Sequence, residues 1–253
     1  MNIIVCAKQV VDISEMKVDS STNKPILTGL DKKVNEIDKN AVEEAIKIKE
    51  KNDGKITVLT VGEADAKERI KELLAMGADE GILITQPEEM DYATLTNILA
   101  GAIKKLNEYD LILCGEASTD MFSGQVGPRL AGMLNIPQIT YAQKIDADKE
   151  KINAERNLGD MIVTMDSTYP VLITVTKEIN EPRLPSLMQI LGSANKPIHD
   201  WTIDSLDVDM KPKVGTIDLQ GVSMDRKNVI YEDDSNDSIQ KLVDNLAKEG
   251  VLR

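Results

Sequence analysis

The chain has one histidine, two cysteines and no dense block of lysine and arginine. His199 stands alone beside Pro197 and Asp200 and reads as an exposed loop residue, with no second histidine to build a base or a metal site. Cys6 and Cys114 form no CxxC and pair with no histidine, which excludes the usual structural zinc spacings. Each closes a short apolar run, so both are expected as reduced thiols in the core. Apolar runs such as Leu111–Cys114 and Val171–Val175 are strand-length, far short of the roughly 18 residues of a membrane span. The opening Met1-Asn2-Ile3-Ile4-Val5 lacks the basic start of a secretory signal, so the chain is expected in the cytoplasm, or in an organelle after processing.

Positive charge is short as well. The formal net charge is −13, from 30 Lys and Arg against 43 Asp and Glu. Nucleic-acid binding needs a concentrated positive surface, and an anionic membrane would repel this chain. A small phosphorylated ligand stays open, because backbone N–H groups at a helix start can hold an anion without basic side chains. Neither the GxxxxGK phosphate loop nor the GxGxxG fingerprint is present. An ATP-pyrophosphatase-type enzyme would carry a Ser-Gly-Gly-x-Asp-Ser-like loop after its first strand, where this chain reads Cys6-Ala7-Lys8-Gln9-Val10.

What is present is alternation. The 42% hydrophobic share supports a sizeable core. Short apolar runs at Asn2–Ala7, Ile56–Val61, Gly81–Thr85 and Leu111–Cys114 read as strands. Between them lie helical patterns: Asp38 to about Lys51; Ala66, Ile70, Leu73 and Leu74 closed by Gly77; Leu95 to Leu106; and Ser123 to Leu134. Strands alternating with helices imply an α/β, doubly wound, mostly parallel, Rossmann-like sheet covered on both faces. From 139 to 166 the period drops to two around the turns Asp146–Lys151 and Asn157-Leu158-Gly159-Asp160, which predicts an antiparallel ribbon. Tyr169–Val175 resumes a buried strand, and residues 177–200 look irregular. The expected organisation is a nucleotide-binding domain over 1–200, then 201–253 as an extended arm and a last helix carrying Ile239, Leu242, Val243 and Leu246 on one face.

In open α/β sheets ligands sit beyond the carboxyl ends of the strands. Those ends here are Cys6-Ala7-Lys8, Val61-Gly62 and Gly115 to Asp120. Next comes Ser123-Gly124-Gln125-Val126-Gly127-Pro128, where two glycines open a helix start and Pro128 suits its first turn. The segment reads either as a phosphate cradle or as a connection with two packing glycines. Lys8 either faces a ligand or is solvated. Asn35 and Asp38 either cap a helix or bond an adenine or ribose. The stiff segment Asn180-Glu181-Pro182-Arg183-Leu184-Pro185-Ser186-Leu187 carries no nucleophile–base pair; its leucines either anchor a partner or fold into the core.

Several of these segments together resemble the electron-transfer flavoprotein β-subunit family. They are Val5-Cys6-Ala7-Lys8-Gln9-Val10-Val11-Asp12, Asn40 to Ala45, Ala75 to Asp79, Asp120 to Pro128, and Thr176 to Arg183. The resemblance runs almost end to end. It implies a heterodimer with a larger α subunit that carries FAD, an adenine nucleotide in this chain, and exchange of electrons with an acyl-CoA dehydrogenase-type or other flavin dehydrogenase. The nucleotide is AMP in simple members. In electron-bifurcating members it is the ADP part of a second FAD, which NADH reduces, with ferredoxin as a low-potential acceptor. Carried over, the cofactor contacts are Cys6, Ala7, Lys8, Asn35, Asp38, Val61, Gly62, Asp120, Ser123, Gly124, Gln125, Val126 and Gly127. The partner-docking residues are Asn180, Glu181, Pro182, Arg183, Leu184 and Leu187. Gly124 to Pro128 and Asp38-Lys39-Asn40 resemble the bifurcating members more. Gly192-Ser193-Ala194-Asn195 replaces a stretch that is basic in many simple members, and Ile13 stands where some carry an aromatic. The competing reading is a stand-alone adenine-nucleotide-binding regulator, which leaves the 180–187 loop and the arm without a role.

Overall fold

In the computed structural model, residues 1–221 and 227–252 are described. Nine strands form one sheet: β1 (Asn2–Cys6), β2 (Lys55–Gly62), β3 (Glu80–Thr85), β4 (Leu111–Gly115), β5 (Gln138–Ala147), β6 (Lys151–Asn157), β7 (Ile162–Thr168), β8 (Val171–Val175) and β9 (Ile198–Trp201). Their spatial order is β7-β6-β5-β8-β4-β1-β2-β3-β9. All neighbouring pairs are parallel except those of β6 with β5 and β7, the antiparallel ribbon that the period-two pattern predicts. The fold is thus α/β with a mostly parallel, doubly wound sheet.

Side chains alternate across each strand, and the two faces bury different sets. Ile3 and Val5 of β1 face a core shared with α1 (Glu36–Asn52) and α2 (Ala66–Met76), through Val42, Ala45, Ile70 and Leu73. Ile4 and Cys6 face the other core, with Ile98 and Ile103 of α3 (Tyr92–Leu106) and Leu130 of α4 (Val126–Leu134). From β1 the chain winds outward through β2 and β3, then returns to place β4 on the opposite side of β1. The strand order therefore reverses between β1 and β4, where Cys6 and Cys114 are register partners.

Three expectations need correction. Residues 177–200 are not irregular throughout. Ser186 and Gln189 form a capping box that opens a short helix, α5 (Leu187–Ser193). His199 is exposed as expected but lies within β9, which pairs with β3 at the sheet edge, so it is no loop residue. The boundary expected at residue 200 falls inside the first compact unit, which comprises Met1–Lys17 and Ile26–Leu219. Trp201, Ile203, Leu206, Val208 and Met210 pack into the α3-side core, and Lys105 lies over the Trp201 ring at 4.3 Å. The second unit, Val18–Pro25 with Gln220–Arg253, contains α6 (Asn236–Lys248), capped by Ser235. No residue of α6 is buried, and its apolar stripe of Ile239, Leu242 and Val243 is exposed.

Gly127 shows how tightly α4 sits on the sheet. A Cβ there would lie 2.3 Å from Thr174 Cγ2 and 3.3 Å from Cys114 Sγ. Its missing side chain therefore serves helix-to-sheet packing. Gly127→Val is expected to lower stability by about 1–3 kcal/mol through overpacking. Gly132→Ala on the same helix, with nothing within 4 Å, should be neutral or stabilising by up to about 1 kcal/mol. Urea unfolding of both variants checks the contrast.

Candidate functional site

The α1 helix begins at the sheet's reversal point and ties it together. Asn35, at the N-cap, makes no side-chain cap. Its backbone N–H donates to Lys8 O at 2.9 Å. Its side-chain amide donates to Ala117 O at 3.0 Å and accepts from Thr119 N–H at 3.1 Å. Three residues on, the Asp38 carboxylate accepts from Lys8 N–H at 2.8 Å and from Gly115 N–H at 2.9 Å. Asp38 is no cap; it bridges the ends of β1 and β4. Gly115 is glycine for this reason, since a Cβ there would stand 2.6 Å from an Asp38 oxygen. The side chains of Asn35 and Asp38 thus brace the cleft floor rather than cap the helix.

Above this floor lies a cleft of about 290 Å³. Every expected cofactor residue lines it except Gly127: Cys6, Ala7, Lys8, Asn35, Asp38, Val61, Gly62, Asp120, Ser123, Gly124, Gln125 and Val126. Sequence reasoning missed the opposite wall, formed by Gln86, Met90, Tyr92 and Leu95. Gln86 directly follows β3, so the rule about strand ends could have found it. Lys32 was also missed; its segment, Lys32–Val34, pairs antiparallel with Gln9–Val11.

The helix start differs from the expected one. Gly124 has φ +63°, a left-handed conformation that interrupts the helical run, so α4 begins at Val126 rather than Ser123. A Cβ on Gly124 would find only the Tyr141 hydroxyl at 3.8 Å and Glu116 O at 3.9 Å, so its flank is open. Among the described residues, the backbone N–H groups of Ser123, Gly124, Gln125 and Val126 have no acceptor. Unpaired donors at a helix start favour an anion.

The electrostatics of the cleft are acidic. Lys8 Nζ is held by both oxygens of Asp120 at 2.8 Å. Lys32 Nζ is held by Glu63 at 2.7 Å and by Asp65 at 2.9 Å. Burial pushes the Cys6 thiol up to about 12, and Cys114 is raised too, chiefly by burial, so both are neutral thiols in the floor. Glu116 is raised by burial and by Glu178. Among the described residues no cluster of His, Cys, Asp and Glu could hold a metal ion, and no helix is long and apolar enough to cross a membrane.

The 180–187 loop divides into fasteners and exposed residues. Asn180 donates to Asn40 O and to Glu44 Oε2, each at 3.0 Å. Asn40 donates in turn to Asn180 O at 2.7 Å. The Arg183 guanidinium spans Glu43, at 2.9 and 3.1 Å, and Glu50, at 2.6 and 3.3 Å. These fixed forks bind the loop to α1 and hold the Arg183 charge firmly on. Asn180 and Arg183 thus face their own protein, Pro182 is half-buried and Glu181 is exposed. Leu184 is 94% and Leu187 71% exposed, so neither folds back into the core.

Asp38 yields a pH prediction. Burial raises its carboxyl from 3.8 to about 6, against the lowering pull of its backbone hydrogen bonds. The folded protein thus holds this proton more tightly than the unfolded chain, and stability falls as pH rises from about 4 to about 6. The displacement corresponds to roughly 3 kcal/mol. An NMR titration should place the Asp38 midpoint near 6. Asp38→Asn should abolish that segment of the pH dependence. It should also cost about 1–3 kcal/mol overall, because one amide oxygen cannot accept from both N–H groups in the same way.

Residues 26–206 match the electron transfer flavoprotein domain family. Over all of both chains, this protein is 37% identical to the electron transfer flavoprotein subunit beta of Thermoanaerobacterium thermosaccharolyticum. It is 38% identical to the subunit of the same name from Clostridium acetobutylicum, over 83% of this chain and 81% of that one. It is 36% identical to the caffeyl-CoA reductase-Etf complex subunit CarD of Acetobacterium woodii, over 84% and 82%. With the cleft at the β1/β4 reversal and the match spanning the residues that build it, the chain belongs to the electron-transfer flavoprotein β-subunit family.

Proposed function

We propose that this chain holds an adenine nucleotide in the cleft above Cys6, Asp38 and Gly115, and relays electrons between a flavin dehydrogenase and the FAD of an α subunit. The observation that carries the reading is the run of unpaired amides at Ser123–Val126 beside the open flank of Gly124. A phosphate fits such a place because backbone donors and the helix dipole need no basic side chain. Adenine would lie toward the apolar wall of Val61, Leu95 and Leu99. The stand-alone regulator reading is not retained, since it accounts for neither the family membership nor the fastened 180–187 loop.

We assign the nucleotide as the ADP portion of an FAD reduced by NADH. The support is the likeness of Gly124–Pro128 and Asp38-Lys39-Asn40 to bifurcating members, and the similarity to a chain named for a reductase–Etf complex. A bound flavin would supply the two-electron chemistry. This chain's residues would orient it: the amides grip the pyrophosphate, the neutral Cys6 and Cys114 thiols add no charge beneath it, and the α3 wall excludes water. Leu184 and Leu187, exposed on a loop fixed to α1, present apolar side chains to a dehydrogenase.

Nucleotide released by acid from the purified protein, separated by chromatography, tests the reading. FAD is the expected species, from a yellow preparation containing a larger partner. AMP alone would replace the bifurcating assignment with a structural nucleotide, and a colourless, nucleotide-free monomer would remove the proposal. Gly124→Asp, which sets a carboxylate at the open flank, should reduce retained nucleotide at least about tenfold. Unchanged retention would move the phosphate elsewhere.

A further inference from the structure

The cleft combines an anion-binding feature with carboxylates that already occupy its cations. The wall contains Lys8 and Lys32 against Asp38, Glu63, Glu116 and Asp120. Lys32 is committed to Glu63 and Asp65. Lys8 is committed to Asp120, whose two oxygens sit on Nζ as phosphate oxygens would, with Ser118 Oγ at 3.5 Å completing the contact. Asp120 precedes the unpaired amides of Ser123–Val126 by only a few residues, on the same loop. Asp120 and these amides line the same cleft, so a phosphate gripped there would share it with a carboxylate, and both lysines of the lining are already ion-paired.

From this arrangement we infer that Asp120, held in place by Lys8, is a specificity-determining residue that limits the phosphate charge the cleft accepts. It admits nucleoside mono- and diphosphate groups and dinucleotide pyrophosphates, and disfavours triphosphates. The inference rests on the proposed nucleotide site and adds a reason for its choice of ligand. The amides are partial charges fixed in number, so they compensate a low anionic charge well and each further phosphate poorly. Each added charge also meets the Asp120 carboxylate within the same cleft, where shielding is weaker than in bulk water. The Lys8–Asp120 pair is partly exposed, with side-chain exposures of 39% and 21%, so it restrains the carboxylate without making it immovable.

The test measures binding of ADP and of ATP, without magnesium, by calorimetry to the full chain after its retained nucleotide has been stripped and the site shown empty by chromatography. Thermal unfolding serves as a check on each variant's fold. The wild-type protein should prefer ADP by roughly tenfold. Asp120→Asn, which removes the carboxylate charge and frees Lys8, should narrow the ratio several-fold through tighter ATP binding. Lys8→Met, which leaves Asp120 uncompensated, should widen it. Added salt should shrink all three differences. Equal affinities for the two nucleotides in the wild type, or an unchanged ratio in Asp120→Asn, would overturn the charge limit while leaving the nucleotide site intact. Failure of the wild type to bind either nucleotide would remove the site and the inference with it.

Discussion

A single buried carboxylate holds the working end of this fold together. Asp38 receives the N–H of Lys8 from one strand and the N–H of Gly115 from its neighbour, so the two strands that part at the sheet's reversal are joined by a helix. Parallel strands end in unpaired backbone groups, and at a reversal no crossover covers them. Burying those donors without an acceptor would cost about 1–3 kcal/mol each. The carboxylate satisfies both at once, and Asn35 does the same for the loop that follows, through Ala117 and Thr119. The shape of the cleft floor depends on these bonds, and Gly115 is constrained to have no side chain because of them.

The proposed site reconciles a net charge of −13 with an anionic ligand. In the proposed site, anion attraction would come from backbone amides at one helix start, while carboxylates pair with the lysines around it. Such a site is local: its pull fades within the first turn of the helix, and the acidic surface beyond repels polyanions. The same acidic surface would oppose a polyanion at the proposed site.

Much of this was legible in the sequence, for identifiable reasons. Apolar strands alternating with 3.6-period stripes gave the parallel sheet, and the switch to period two at 139–166 gave the antiparallel ribbon. Strand ends then located the cleft. Three things were hidden. The left-handed φ of Gly124 moved the start of α4, because a glycine near a helix start reads equally as its first turn or its last interruption. The role of Asp38 was masked because its spacing from the loop mimics a helix cap, and only the fold brings it to Lys8 and Gly115. The strand at Ile198–Trp201 was missed because it is an edge strand with half-buried ends and exposed residues between, which leaves little apolar signal. Likewise, the resemblance places Asn180 and Arg183 in a partner-docking loop, and their fastening role shows only through partners more than 130 positions away on α1.

That last pairing gives α1 a second duty. Its N-cap and first turn carry Asn35 and Asp38 into the cleft floor, and the rest of the helix carries Asn40, Glu43, Glu44 and Glu50, which fasten the 180–187 loop. The Arg183 forks are geometrically strict, and Glu43 is almost fully buried beneath them, so a shift of the loop would strand a charge. One rigid helix therefore fixes both the floor of the proposed nucleotide site and the base of the loop that exposes Leu184 and Leu187. That helix packs Val42, Ala45 and Ile46 into the core on its face of the sheet, so the cleft floor and the base of the loop share one support.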